Sequence, residues 1–205
     1  LPILQKLGVP ATFFVTTGYV GQRRLPWWDR IGYVLRRSAA TELHLRYPTE
    51  QRLSMSGAAR AQTQRVLLRL IKQSFGLDFA RFFAELEQAA GVTVDEAALT
   101  DGLFMSWDEV RALHRAGMDI GAHTKTHRVL QTIPLEEARD EIAGSRQEIA
   151  AQLGFAPRAI AYPVGHPLSQ ESGLRGLVAV AGFEIGFTFV KGLIDLGPRG
   201  RGAID

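Results

Sequence analysis

From residue 106 to residue 190 the chain alternates between helical apolar periodicity and short runs of β-branched, aromatic and small apolar residues, and few folds accept that alternation. Ser106 and Glu109 form a capping box, after which Trp107, Val110 and Leu113 line one helix face as far as Gly117. Met118–Ala122 then reads as a buried strand. Thr132 is placed to cap a long helix with Pro134 in its first turn. Its apolar stripe is Leu135, Ala138, Ile142, Ile149 and Leu153, and Gly154 ends it. Ala159–Tyr162 is the next strand, stopped by Pro163. Leu174, Leu177, Val178 and Ala181 predict a third helix closed by Gly182, followed by a strand over Glu184–Phe189 with Ile185, Phe187 and Phe189 on one side. Near the start, Thr12–Thr16 is nearly all β-branched or aromatic, as in a strand buried on both faces. Strands alternating with helices specify a parallel α/β arrangement. Four strands do not close a barrel, so the expected fold is α/β, an incomplete, distorted (β/α) barrel rather than an open doubly wound sheet.

The whole chain, residues 1–205, is expected to form one such partial domain, interrupted by an insertion over residues 22–105. A connection of that length needs structure of its own. Residues 58–74 and 78–90 read as two helices separated by Gly76. Val66, Leu67, Leu70 and Ile71 of the first, and Phe79, Phe82, Phe83 and Leu86 of the second, are set to pack on each other or on the barrel. The insertion holds 12 Lys and Arg against 9 Asp and Glu, and the rest of the chain 12 against 12. A surplus this small, without interleaved aromatics, argues against a nucleic-acid partner. No apolar run is long enough to cross a bilayer, so no membrane segment is expected in this chain. The absence of cysteine excludes disulfides and thiolate metal sites. Residues 1–8 read as the last turns of a helix closed by Gly8, an unusual place for a domain to begin, so sequence upstream is expected to be missing.

His123-Thr124-Lys125-Thr126-His127 follows the strand that ends at Ala122. Two imidazoles four residues apart can converge on one divalent ion and leave positions for a third ligand and a water. In parallel barrels reactive residues collect at this C-terminal edge of the strands. The spacing alone leaves a second reading open, two hydrogen-bonded loop histidines. Trp27 and Trp28 follow the first strand and could stand at the rim of a site. Against this, Trp27, Ile31, Val34 and Leu35 have helical spacing, which would make one or both indoles core.

Ala11-Thr12-Phe13-Phe14-Val15, the histidine motif in its Gly121-Ala122 frame, Ala161-Tyr162-Pro163-Val164-Gly165 and Ala181-Gly182-Phe183, in that order, resemble the polysaccharide deacetylase family (the NodB-homology domain, carbohydrate esterase family 4). The likeness covers residues 1–21 and 106–190. It implies a distorted (β/α) barrel of the NodB-homology type that hydrolyses acetyl groups from an acetylated polysaccharide such as a chitin-like polymer, peptidoglycan or an exopolysaccharide. It also implies a divalent metal, usually zinc, held by an Asp and two histidines. By that likeness His123 and His127 are the metal ligands, and Thr124 is the hydroxyl residue that ties the loop. The backbone N–H of Val164 falls where an oxyanion donor is expected, and Tyr162, Trp27 and Trp28 are candidate substrate contacts. The family often works on cell-envelope or exported glycans.

The chain also departs from the family pattern. The family's pair of aspartates, one the catalytic base and one the third metal ligand, would lie upstream of the helix that ends at Gly8. Ala161 stands where many members have an arginine that steadies the base, and the late motif supplying a general acid is absent. His166 is a candidate replacement acid, although a loop histidine between Gly165 and Pro167 is more often simply exposed. His114 and His44 read as structural or surface residues. This chain alone is therefore expected to be inactive and its parent protein active. A non-catalytic carbohydrate-binding relative of the same fold, or an amide hydrolase on a related barrel, are the alternatives.

Overall fold

The computed structural model describes residues 1–169 and 171–191. Along the chain the elements are α1 (Pro2–Leu7), β1 (Thr12–Val15), a 3-10 turn at Thr17–Tyr19, α2 (Trp27–Arg37), β2 (Glu42–Leu45), β3 (Gln51–Ser54), α3 (Ala59–Gln73), α4 (Phe79–Ala90) and α5 (Glu96–Leu99). They continue with α6 (Trp107–Arg115), β4 (Asp119–Ala122), a 3-10 turn at Leu130–Thr132, α7 (Leu135–Arg139), a π turn (Asp140–Gly144) and α8 (Ser145–Leu153). Last come β5 (Ala159–Ala161), a 3-10 turn at Pro163–Gly165, α9 (Leu174–Val180) and β6 (Ile185–Phe187). Contacts divide the described residues into two compact units, Leu1–Gln22 with those from Phe104 onward, and Arg23–Leu103.

In the first unit β1, β4, β5 and β6 form one parallel sheet in that order. The order follows the chain without the reversal that marks a doubly wound sheet. Paired residues in register share a face, so Val15, Ala122 and Ile160 point one way, into a core completed by Val110, Ile142, Ile149 and Val178 from the helices. The opposite face carries Phe14, Gly121, Ala161 and Phe187 and is more open, with Ile185 and Phe187 about half exposed. The Phe14 and Phe187 rings meet edge to face at 5.2 Å although they stand on the two outer strands. A flat sheet would hold those strands about 14 Å apart, so this face is concave. Gly121 lies beneath the Phe14 ring, and a Cβ there would stand 2.5 Å from two of its carbons.

Several expectations change on contact with the structure. β1 is not buried on both faces: Thr12 is exposed and Phe13 and Phe14 are half-buried, because β1 lies at the sheet's edge with its Phe14 side toward the concave face. Phe189 lies beyond β6 and is exposed. Thr132 does not cap the long helix. Its hydroxyl donates to Val129 O at 2.8 Å, and Pro134 occupies the N-cap. Leu135 is exposed, and the buried stripe begins at Ala138 and runs through Ile142, Ser145 and Ile149 across the π turn. The capping box at Ser106 and Glu109 is present in both directions, and Gly154 closes α8 in the left-handed region.

The Arg23–Leu103 unit has its own core of Trp27, Ile31, Leu35, Leu67, Ile71, Phe82 and Leu86, joined by Leu43 and Leu45 of an antiparallel hairpin, β2–β3, that the sequence patterns did not indicate. The apolar stripes of α3 and α4 meet in that core, and Asp78 caps α4 by accepting from the Arg81 N–H. No described helix is long and apolar enough to cross a membrane.

Candidate functional site

The histidine loop leaves β4 with its ladder still running, since the His123 N–H donates to Val15 O at 2.9 Å. Two of its five residues, Thr124 and His127, then adopt positive φ (61° and 59°). Thr124 is fully buried, and its Oγ1 accepts from the His127 N–H at 3.1 Å, closing the loop on itself. Three donors around the Thr17–Tyr19 turn hold the loop carbonyls. The Thr17 N–H donates to Thr124 O (3.2 Å), the Gly18 N–H to Lys125 O (2.7 Å) and the Tyr19 hydroxyl to Thr126 O (3.2 Å). Gly18 is there because the approach is close, and a Cβ on it would lie 2.5 Å from Lys125 O.

Held this way, the two imidazoles converge. Their ring centres are 4.7 Å apart and their planes nearly perpendicular. At a metal–nitrogen distance of about 2 Å, two imidazoles on one ion have ring centres roughly 4.5–5.5 Å apart, so the pair fits a shared cation. His123 Nδ1 lies 2.7 Å from Ala161 O. A carbonyl only accepts, so Nδ1 carries the proton and Nε2 keeps its lone pair, the arrangement a ligating histidine needs. Burial holds the His123 pKa below the usual histidine value, outweighing the Ala161 hydrogen bond that acts the other way. The ring is thereby kept neutral. Among the described residues no cluster of three or more His, Asp, Glu or Cys is assembled, and the two imidazoles stand as a pair.

The bond to Ala161 O ties the histidine loop to the turn that follows β5. In that turn Val164 has φ 61° and ψ −1°, an outlier for a β-branched residue. Backbone strain of this kind gathers at functional sites, and all three non-glycine residues with positive φ among those described stand in these two adjoining segments.

The other sequence candidates are placed as follows. His166 is exposed on the loop after β5, and no hydrogen bond or ring contact joins its side chain to the histidine pair. Tyr162, at 2% exposure, belongs to the core of the first unit and offers no free ring face for a sugar. Trp27, at 4%, is likewise core, and Trp28 packs edge-on against it half-buried, both in the Arg23–Leu103 unit. The indoles therefore follow the helical-spacing reading. His114 is exposed and stacked on Phe155, and His44 pairs with Glu50 at 2.8 Å. One residue that the sequence did not single out, Glu141, is buried against the histidine loop. Its only sequence signal is an acidic residue wedged beside the apolar stripe.

The concave parallel sheet carries its paired histidines at the C-terminal end of one strand, the edge at which reactive residues collect in (β/α) scaffolds. Residues 1–183 match the polysaccharide deacetylase family, and the chain belongs to that family. Solved structures similar to it include the deacetylase domain of BpsB from Bordetella bronchiseptica (16% identity, TM-score 0.48, 93% of this chain and 58% of that one). Others are IcaB from Ammonifex degensii (16%, 0.46, 91% and 52%) and the Streptococcus pyogenes deacetylase PplD in complex with acetate (22%, 0.41, 43% and 38%). The chain thus spans between 38% and 58% of the length of these structures. No curated protein matches it.

Proposed function

We propose that this chain is the histidine-bearing part of a metal-dependent polysaccharide deacetylase, with His123 and His127 as two ligands of a divalent ion. The observation that carries the reading is the fixed His123 tautomer beside a second imidazole 4.7 Å away. A donor set of two imidazoles completed by oxygen ligands suits zinc. Such an ion, when bound, supplies Lewis acidity toward an acetyl carbonyl and lowers the pKa of a water. The chain's own residues do the rest of the positioning. The Ala161 carbonyl keeps His123 Nε2 bare, and Thr124 Oγ1 fixes the backbone of His127. The Val164 N–H is the donor we assign to the oxyanion of the tetrahedral intermediate, a role that needs backbone geometry and no particular side chain. The substrate class is an acetylated polysaccharide, and the Arg23–Leu103 unit is read as an insertion in the deacetylase domain.

The test is acetate release by the full-length protein from chito-oligosaccharides and acetylated peptidoglycan fragments, before and after chelation. The expected result is release that stops with the chelator and returns with zinc. Saccharide binding untouched by chelation, with no acetate formed, would instead make this a non-catalytic carbohydrate-binding relative. Cleavage of cyclic amides in place of acetyl groups would move it to another hydrolase class.

A further inference from the structure

The geometry points to Glu141 as the positioning residue that fixes the histidine loop, and through it the separation of the two imidazoles. This rests on the reading of His123 and His127 as ligands. Glu141 is 7% exposed and stands in the π turn, the one place where the long helix departs from α geometry. Its Oε2 accepts from the backbone N–H groups of Lys125 (3.0 Å) and Thr126 (2.8 Å), and its Oε1 accepts from the Thr126 hydroxyl. These are two of the three residues between the histidines. The loop is thus divided between two partners. Its carbonyls face donors around the Thr17–Tyr19 turn, while the amides of Lys125 and Thr126 face this one carboxylate.

Glu141 lies at the edge of the buried stripe. Through the π turn Ala138 and Ile142 stay in the core while Glu141 faces the loop and Asp140 reaches the Lys125 ammonium at 3.0 Å. Thr124 and His127 hold positive φ, a strained conformation that persists only where the surroundings over-determine the backbone. Charge-assisted hydrogen bonds from two adjacent amides and a hydroxyl to one buried carboxylate supply that constraint. Glu141 acts through Lys125 and Thr126 and is a positioning residue.

The test compares wild type with Glu141→Gln in the full-length protein. Glutamine keeps the size and one accepting oxygen for the two amides but loses the charge that strengthens those bonds, and its NH2 group reverses the bond with Thr126, whose hydroxyl must then accept. In the metal-free protein the ring-proton NMR signals of His123 and His127 are expected to shift and broaden, while those of His44 and His114 stay in place. With zinc, affinity measured against a competing chelator should fall roughly 10–100-fold, the range for loss of a group that orients metal ligands. Acetate release should lose kcat with KM for the saccharide unchanged. Unmoved His123 and His127 signals together with zinc affinity within about twofold of wild type would overturn the assignment. So would a general disturbance in which His44 and His114 move as far as the loop pair, since that is plain packing. If Glu141→Gln does not fold, Thr126→Val removes the hydroxyl bond alone. A smaller shift of the same two signals is then expected, and none at all overturns the proposal. Should wild type take up no zinc and release no acetate, the deacetylase reading fails, while the metal-free spectra still decide the role of Glu141.

Discussion

The Arg23–Leu103 unit and the unit that carries the histidines keep local structural rules to different degrees. In the former, positive φ is confined to Gly57, Gly76, Gly91 and Gly102, the helices α4 and α5 start on aspartate caps, and the large core side chains are apolar. In the latter, Thr124, His127 and Val164 hold positive φ, a helix passes through a π turn, and a glutamate is buried. These departures are grouped at the ends of β4 and β5 and on the helix segment that faces the histidine loop. Sequences agree with themselves at every level where only stability is at stake, and give way where reactive groups must be displayed. The contrast separates a region built to be stable from one built to hold two rings in place.

That separation can be broken by experiment. The largest effect on stability is expected from Phe82→Ala, which empties a fully buried site in the Arg23–Leu103 core. Denaturant titration should show a loss of about 3–5 kcal/mol, while zinc affinity of the folded protein stays at the wild-type value. If affinity falls in step with stability, the two regions are not distinct in function. The reverse pattern is expected for His123→Ala, whose zinc affinity and acetate release should drop by more than about 100-fold, beyond what loss of an outer orienting group does. Its unfolding midpoint should move much less than that of Phe82→Ala. Between them lies Gly18→Ala, whose new Cβ would stand 2.5 Å from Lys125 O. Neither backbone can yield without moving the histidine loop, so a destabilisation of about 1–3 kcal/mol is expected together with weaker zinc binding. Normal zinc affinity in that variant would show that the Thr17–Tyr19 turn does not set the loop.

Most of the regular elements and the site motifs were legible in the sequence, and the geometry that strains those motifs was not. β4, β5 and β6 lie within the predicted runs because apolar patterning and glycine or proline stops are local signals. The histidine pair and the Val164 turn were found from motifs, and their adjacency follows from β4 and β5 being neighbours in the sheet. The hairpin β2–β3 was missed because Leu43 and Leu45 give too short an alternation to register. The π turn was invisible because Ala138, Ile142, Ser145 and Ile149 keep helical spacing across it. Glu141 meets Lys125 and Thr126 from fifteen or sixteen residues away, a contact that only the fold creates. Tyr162 and Trp27 mark the converse case, aromatics beside a site motif that are core, as the helical spacing of Trp27, Ile31, Val34 and Leu35 already allowed for the indole.

The smallest expected effect is a dependence of stability on pH that belongs to the histidine loop. Burial depresses the His123 pKa in the folded chain below its usual value of 6.5. In the unfolded chain this histidine takes up a proton as pH falls through the ordinary range, while in the folded chain it stays neutral until lower pH. The unfolded state therefore binds more protons in that window, and the contribution of neutral His123 is present above about pH 6.5 and lost as pH falls toward the folded value. A His123→Asn variant has nothing to titrate there. The stability of metal-free wild type relative to that variant, from denaturant titrations at several pH values, should decline from neutral pH downward. A difference that stays flat, or grows on acidification, would mean that His123 is as readily protonated in place as in water, and the claim that the fold holds it ready to ligate would fall.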